Sequence, residues 1–285
     1  MFSLNRAFRR RRLMNSVSVA IFTLLTLASM AILVAIIGHI ASEGLAAINL
    51  DFFTQIPKPV GQSGGGIAQA ILGSLEMLLV GAIFAVPLGV VTAVYLSEFA
   101  NPQWLIRSVR FCLDLIAGIP SIVVGVFVWA LLVRYVTGYS GLAGSVALAI
   151  IMLPIIARIV EEMLRLVPQT IREAGLSLGL PRWRVIISIV IPSVLPGVIT
   201  GIILGIARAA GETAPLLLTS LGNLFFNFDL GQPMAAMTLQ AYNYAVSPYD
   251  DWQTKAWGTM LVLILVVAIL SATVRFIGRR YKADV

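Results

Sequence analysis

Apolar residues run in long blocks along this chain, at residues 16–40, 67–97, 111–136, 141–157, 186–220 and 255–277. A helix needs roughly 20 apolar residues to cross a bilayer, so the blocks predict an all-α integral membrane protein with about six spans. The short period-2 alternation of barrel strands is missing. The fifth block is too long for one straight crossing. Helical throughout, Ile186 to Leu221 would rise roughly 54 Å at 1.5 Å per residue, nearly twice the hydrocarbon thickness. Pro192, Pro196 and Pro215 are the expected break points. Gly118-Ile119-Pro120 should bend the third block as well, because proline removes a backbone donor and clashes with the preceding turn. Either a packing kink or contact with a transported species would account for it.

Between Pro154 and Pro192 the pattern turns polar. Arg158, Glu161, Glu162 and Arg165 come first, then Val167-Pro168 through Gly179, then Pro181-Arg-Trp-Arg184. Charged helix is costly in lipid, so this segment is expected in water at one face. Charge placement says which face. Arg6, Arg9 to Arg12, Arg107, Arg110, Arg158, Arg165, Arg172, Arg182, Arg184, Arg275, Arg279, Arg280 and Lys282 fall on one side of a six-span threading, and Lys58, Arg134 and Lys255 on the other. The positive-inside rule then puts both termini and the polar segment in the cytosol. A single transmembrane domain over 1–285 results, with a basic tail at 1–15, a core at 67–278, a cytoplasmic loop at 168–184 and an extracytoplasmic loop at 221–252.

Composition agrees with the pattern: 59% of residues are hydrophobic, 12% are charged and the mean hydropathy is +0.95, against about 25% charged in soluble domains. The net charge of +7 is a matter of topology here, not of nucleic acid. The apolar run from Val17 to Ile40 is too long for a signal-peptide core and reads as a retained span. Cys112 has no disulfide partner and reads as apolar packing, and His39 as an interfacial residue. No histidine–cysteine set has metal-ligand spacing. The Gly61 to Gly66 run reads as a linker. The lysines precede Pro59, Ala256 and Ala283, so the chain has no Gly-Lys-Ser/Thr phosphate loop and is expected not to be an enzyme. Energy for active transport must come from another protein or an ion gradient.

One constellation stands out within the apolar blocks. Gly197, Gly201, Gly205 and Ala209 recur every four residues, a spacing that lets membrane helices approach closely. Arg208 and Glu212 continue the stripe. An arginine here costs at least about 2.5–3.5 kcal/mol on insertion scales, so it must face protein or water. Two readings stand: an ion pair locking two helices, or an anion site in which Arg208 binds substrate and Glu212 holds it between turnovers. Glu76 is open equally to packing, ion pairing and lining a path.

The polar segment also carries a motif. Glu173-Ala174-Gly175-x3-Gly179, nine further residues, and Ile189-Val-Ile191-Pro192 resemble the EAA loop of ABC importer permeases. The departures are Gly175 for the second alanine and Ile191 for leucine. The resemblance implies the type I, MetI-like permease fold, with this loop as a coupling helix docking on an ATPase. Ala117-Gly-Ile-Pro-Ser-Ile-Val123, Pro154-Ile-Ile-Ala-Arg158 and Ala207-Arg-Ala-Ala-Gly-Glu-Thr-Ala-Pro215 resemble the phosphate-importer permeases of the PstA and PstC type, PstA more closely. That resemblance implies a subunit of an ATP-driven phosphate importer in a bacterial inner membrane. Its partners would be a PstC-like second permease, a PstB-like ATPase pair holding ATP and Mg, and an extracytoplasmic PstS-like phosphate-binding protein, with no cofactor on this chain. The family's arginine and glutamate on the fifth span would map onto Arg208 and Glu212. A molybdate or sulfate permease, a gradient-driven transporter and a non-transporting scaffold are the alternatives.

Overall fold

The computed structural model describes residues 2–59, 62, 64–99 and 102–282, so Gly61 and Ser63 of the glycine-rich run and residues 283–285 lie outside it. Helix α1 (Phe2–Gly44) leads through a 3-10 turn into α2 (Leu50–Thr54), capped where the Asn49 side chain accepts from Phe52 N. Helices α3 (Ala68–Glu98), α4 (Gln103–Gly118) and α5 (Ser121–Val128) follow, the last continuing as a π-helix over Trp129–Thr137. Then come α6 (Gly141–Arg165), α7 (Gln169–Ser177) and α8 (Arg182–Val185). A π-helical turn, Ile186–Val190, joins α8 to α9 (Ile191–Ser193) and α10 (Leu195–Ala210). Helices α11 (Ala214–Thr219), α12 (Met237–Ala245) and α13 (Asp250–Lys282) complete the chain.

Among the described residues four helices are long and apolar enough to cross a membrane, and the number rises to six if each of two sharply bent pairs is one span. One pair, α4 with α5 and its π extension, bends by 104°; the other, α8–α9 with α10, bends by 76°. The protein is a multi-pass, all-helical membrane protein, as the apolar blocks predict.

Helix α6 is the centre of the packing. Glycines let its neighbours lie against it: a Cβ on Gly81 of α3 would sit 2.9 Å from Ser145 O, and one on Gly89 2.9 Å from Ile156 Cγ2. The Gly197, Gly201 and Gly205 stripe of α10 faces Met163, Ile159 and Ile156 on α6. The stripe is therefore a helix–helix seam, while α1, whose apolar window is wholly unburied, touches α13 where Gly44 meets the Trp257 backbone.

The structure differs from the sequence reading at four places. Helix α6 runs unbroken through buried Pro154 to Arg165, so Arg158 to Arg165 continue the helix of the span rather than opening a separate polar segment. Buried Glu161 accepts from Arg110 Nε at 2.9 Å and from Arg165 Nη2 at 2.7 Å. Pairing of this kind lets charged residues stay in the packed helix. Second, the break near Pro192 falls at Val194, between Pro192 and Pro196, each at the start of a helical piece. Proline lacks the donor that the first turn leaves unpaired anyway. Third, Cys112 is exposed rather than packed. Fourth, the 221–252 stretch is not an open loop throughout: Met234, Ala235 and Ala236 are buried, as is much of α12.

Candidate functional site

Two breaks in the helices make the site. The 104° bend at Ile119-Pro120 turns Ala117, Ile119 and Ser121 towards α6, and α10 ends at Ala210 just beyond Arg208. Between them lies a cavity of about 80 Å³, lined by these residues, by Ile151, Pro154 and Ile155 of α6, and by Arg208 and Glu212. Those α6 residues sit near its midpoint, so the cavity lies about half-way along a span. The Gly-Ile-Pro step is thus a kink that also lines the cavity holding the intramembrane charges.

Arg208 Nη1 donates to Glu212 Oε1. The two side chains differ in environment: Arg208 is 58% exposed and Glu212 5%. Arg208 therefore leaves the glycine seam and points to the open side, while the carboxylate stays inside. The backbone that carries this carboxylate, between α10 and α11, is itself held. Glu212 N donates to Ala209 O at 3.1 Å, and Thr238 Oγ1 of α12 donates to Glu212 O at 2.8 Å. Pro215 opens α11 and packs on α5, where a Cβ on Gly125 would lie 2.7 Å from Pro215 Cα. An exposed guanidinium held by a buried acceptor can exchange that acceptor for an incoming anion.

The polar segment builds the second part. Pro168 precedes α7 in extended conformation, and Gly179 ends the segment with φ +78°, a left-handed conformation open to glycine. Glu173, Ala174, Leu176 and Leu178 are exposed, whereas Gly175 is buried, a Cβ there lying 3.0 Å from Ile189 Cδ1 and Val185 Cγ2. The glycine in place of the motif's second alanine faces inward, away from the exposed side.

Sequence reasoning missed Glu98 and Thr238. Glu98, at the end of α3, is buried and grips Arg172 of α7, whose Nε and Nη2 donate to its two carboxylate oxygens at 2.9 and 2.6 Å. A signal existed for Glu98, since a carboxylate closing an apolar block calls for a cation. None existed for Thr238, an unexceptional threonine 26 residues beyond Glu212. Two other polar side chains of α3 are also placed. Glu76 is half-buried on α3, and among the described residues it makes no hydrogen bond or ion pair. Gln69 is buried, and its Nε2 donates to Gln240 Oε1 of α12 at 3.3 Å.

The family described as binding-protein-dependent transport system inner membrane component matches residues 85–283, from within α3 to the end of α13. This chain belongs to that family. As a member of this permease family it has full-length relatives. It is 39% identical over 277 residues to the phosphate transport system permease protein PstA of Yersinia pestis, covering 97% of this chain and 93% of that protein. The PstA of Xylella fastidiosa strain Temecula1 is 41% identical over 276 residues, 96% of each chain. Among solved structures, an inward-facing MetNI methionine ABC transporter aligns with a TM-score of 0.60 at 19% identity, over 75% of this chain and 95% of that one. An amino acid ABC transporter aligns at 0.52 and 17% identity, over 77% and 93%. These likenesses carry the fold, which is that of ABC importer permeases, as the EAA-like motif implied.

Proposed function

We propose that this permease is the PstA-type subunit of an ATP-driven phosphate importer, and that Arg208 is its contact with the anion. The observation that carries the reading is the half-exposed Arg208 guanidinium, held by the buried Glu212 in a cavity half-way along a span. Guanidinium presents a planar fork that matches phosphate oxygens two at a time. Full-length likeness to proteins named as phosphate permeases favours phosphate over molybdate or sulfate.

The exposed side of α7 supports ATPase docking. Glu173 offers a short polar edge, while Ala174, Leu176, Leu178 and Trp183 expose apolar surface beside it. With basic residues at that face, both termini lie in the cytosol. The opposite face then receives the phosphate-binding protein, near a cavity of about 480 Å³ whose lining includes Asn223, Phe225, Asn243 and Trp252. A second permease covers the open side of Arg208. ATP-driven closure of the ATPase pair rocks the two permeases about the mid-span site, and ATP and Mg act on the ATPase subunits.

Uptake by the reconstituted four-component system tests this. Phosphate-loaded binding protein should stimulate ATP hydrolysis and accumulate phosphate, and Arg208→Gln should abolish accumulation in complexes that still assemble. Full uptake by that variant, or stimulation by sulfate- or molybdate-loaded binding proteins instead, would overturn the reading.

A further inference from the structure

We infer that the Glu98–Arg172 pair is the rigid joint that makes α3 move as one body with α7, so that displacement of α7 reaches the far end of α3 without slack. The inference rests on the reading of α7 as the coupling helix and names the residues that connect it to the spans.

One guanidinium ties three elements together. Arg172 donates to both carboxylate oxygens of Glu98 at the end of α3. Its Nη2 also donates to Leu164 O at 2.8 Å and its Nη1 to Val167 O, carbonyls in the last turn of α6 and just beyond its end. Both partners are shielded, with side chains 13% and 4% exposed. The chain leaving α7 returns to the same place: Arg182 donates to the backbone carbonyl of Glu98, and its guanidinium stands 5.3 Å from the Phe99 ring centre. The last turn of α3 is thus held from both sides of α7. A bidentate, charge-assisted pair shielded from water resists sliding in a way that apolar contact alone does not.

The other end of α3 is fastened as well. Ser74 Oγ accepts from Met237 N of α12 at 2.7 Å, and Gln69 bonds Gln240. A Cβ on Gly73 would lie 2.2 Å from Ala235 O, so the two backbones touch. Helix α12 in turn holds the backbone of Glu212 through Thr238. A continuous line of bonded groups therefore runs from α7 through α3 and α12 to the backbone of the residue whose carboxylate holds Arg208. Without the joint, α7 could tilt while α3 stayed, and ATP would be spent without moving the far face.

The test uses the assembled complex in lipid nanodiscs, with Cys112→Ser to remove the exposed thiol. Spin labels go on Ser177 of α7 and Leu72 near the far end of α3, both exposed. Their separation should be the same in nucleotide-free and vanadate-trapped complexes, and Glu98→Gln should broaden or shift it. In proteoliposomes, the fraction of Glu98→Gln complex that assembles should hydrolyse ATP and move about tenfold fewer anions per ATP, a size within measured coupling effects. Exchanging the charges, Glu98→Arg with Arg172→Glu, should recover part of that ratio. A label separation that changes during the wild-type cycle overturns the inference, whatever the anion proves to be. So does a wild-type anion-to-ATP ratio in whatever fraction of the Glu98→Gln complex assembles, which would leave the pair a purely structural role.

Discussion

Removing the charge of Glu212 should tighten the grip of Arg208 on phosphate and slow the pump. In the structure the carboxylate holds the guanidinium, so on the proposed function an arriving anion displaces it. Two unit charges at 4 Å attract by about 4 kcal/mol at an effective dielectric of 20, which is a ceiling. Arg208 is 58% exposed, and exposed pairs contribute about 0–1 kcal/mol. A competing interaction of about 1.4 kcal/mol lies between these limits and corresponds to a tenfold change in affinity. Glu212→Gln keeps the shape and the backbone bonds from Thr238 and to Ala209 and removes the competitor. The complex should then retain radioactive phosphate through rapid gel filtration, and uptake at saturating loaded binding protein should fall by up to about tenfold. Arg208→Gln acts in the opposite sense and leaves Glu212, 5% exposed, without its cation. Stranding a buried charge costs about 3–5 kcal/mol, so assembly should weaken, and the double variant Arg208→Gln with Glu212→Gln should restore assembly without restoring transport. Wild-type uptake by Glu212→Gln with no retained phosphate would refute the competition, and so would loss of uptake without retention.

Three further outcomes follow from the packing. Gly73→Ala places a Cβ 2.2 Å from Ala235 O and should cost about 1–3 kcal/mol through overpacking, read as a lower thermal midpoint in detergent; Gly38→Ala, with nothing within 4 Å, should leave the midpoint unchanged. Gly179→Ala meets no neighbouring atom but keeps φ +78°, so about 1–2 kcal/mol of left-handed strain should loosen the end of α7 and reduce ATPase co-purification while the permease's own midpoint holds. Burial raises the pKa of the Tyr244 hydroxyl, which donates to Gly66 O at 2.9 Å. The folded state therefore keeps a proton that the unfolded chain loses near pH 10, and stability from this group falls as pH rises beyond that point; Tyr244→Phe should flatten that alkaline loss in a pH series of unfolding midpoints, at a uniform cost of about 1 kcal/mol for the bond.

The blocks of apolar residues were sufficient to count the spans, because each block must satisfy its backbone within one helix in lipid. Arg208 and Glu212 could be paired from spacing alone, since four residues is one helical turn and the partners are local. Pro120 likewise announced a break, because the missing donor is a property of the residue itself. The limits show at Arg158 to Arg165. Their charge argued for a segment separate from the span, yet Arg110, 51 residues before Glu161, pairs with it inside the continuous helix α6. The stretch from Met234 to Ala241 misled in the same way, since its burial depends on α3 pressing on it from far away in sequence.

Sequence determined what is decided locally: helical spans, a proline break, and the charged pair four residues apart. Only the tertiary structure decided that the proline kink and the arginine share a cavity, that Arg208 is open while Glu212 is enclosed, and that Glu98 holds Arg172. Those facts depend on the order in which helices pack around α6. That order is set by where glycines permit backbones to touch and by which distant charge reaches which, neither of which leaves a period or a spacing along the chain.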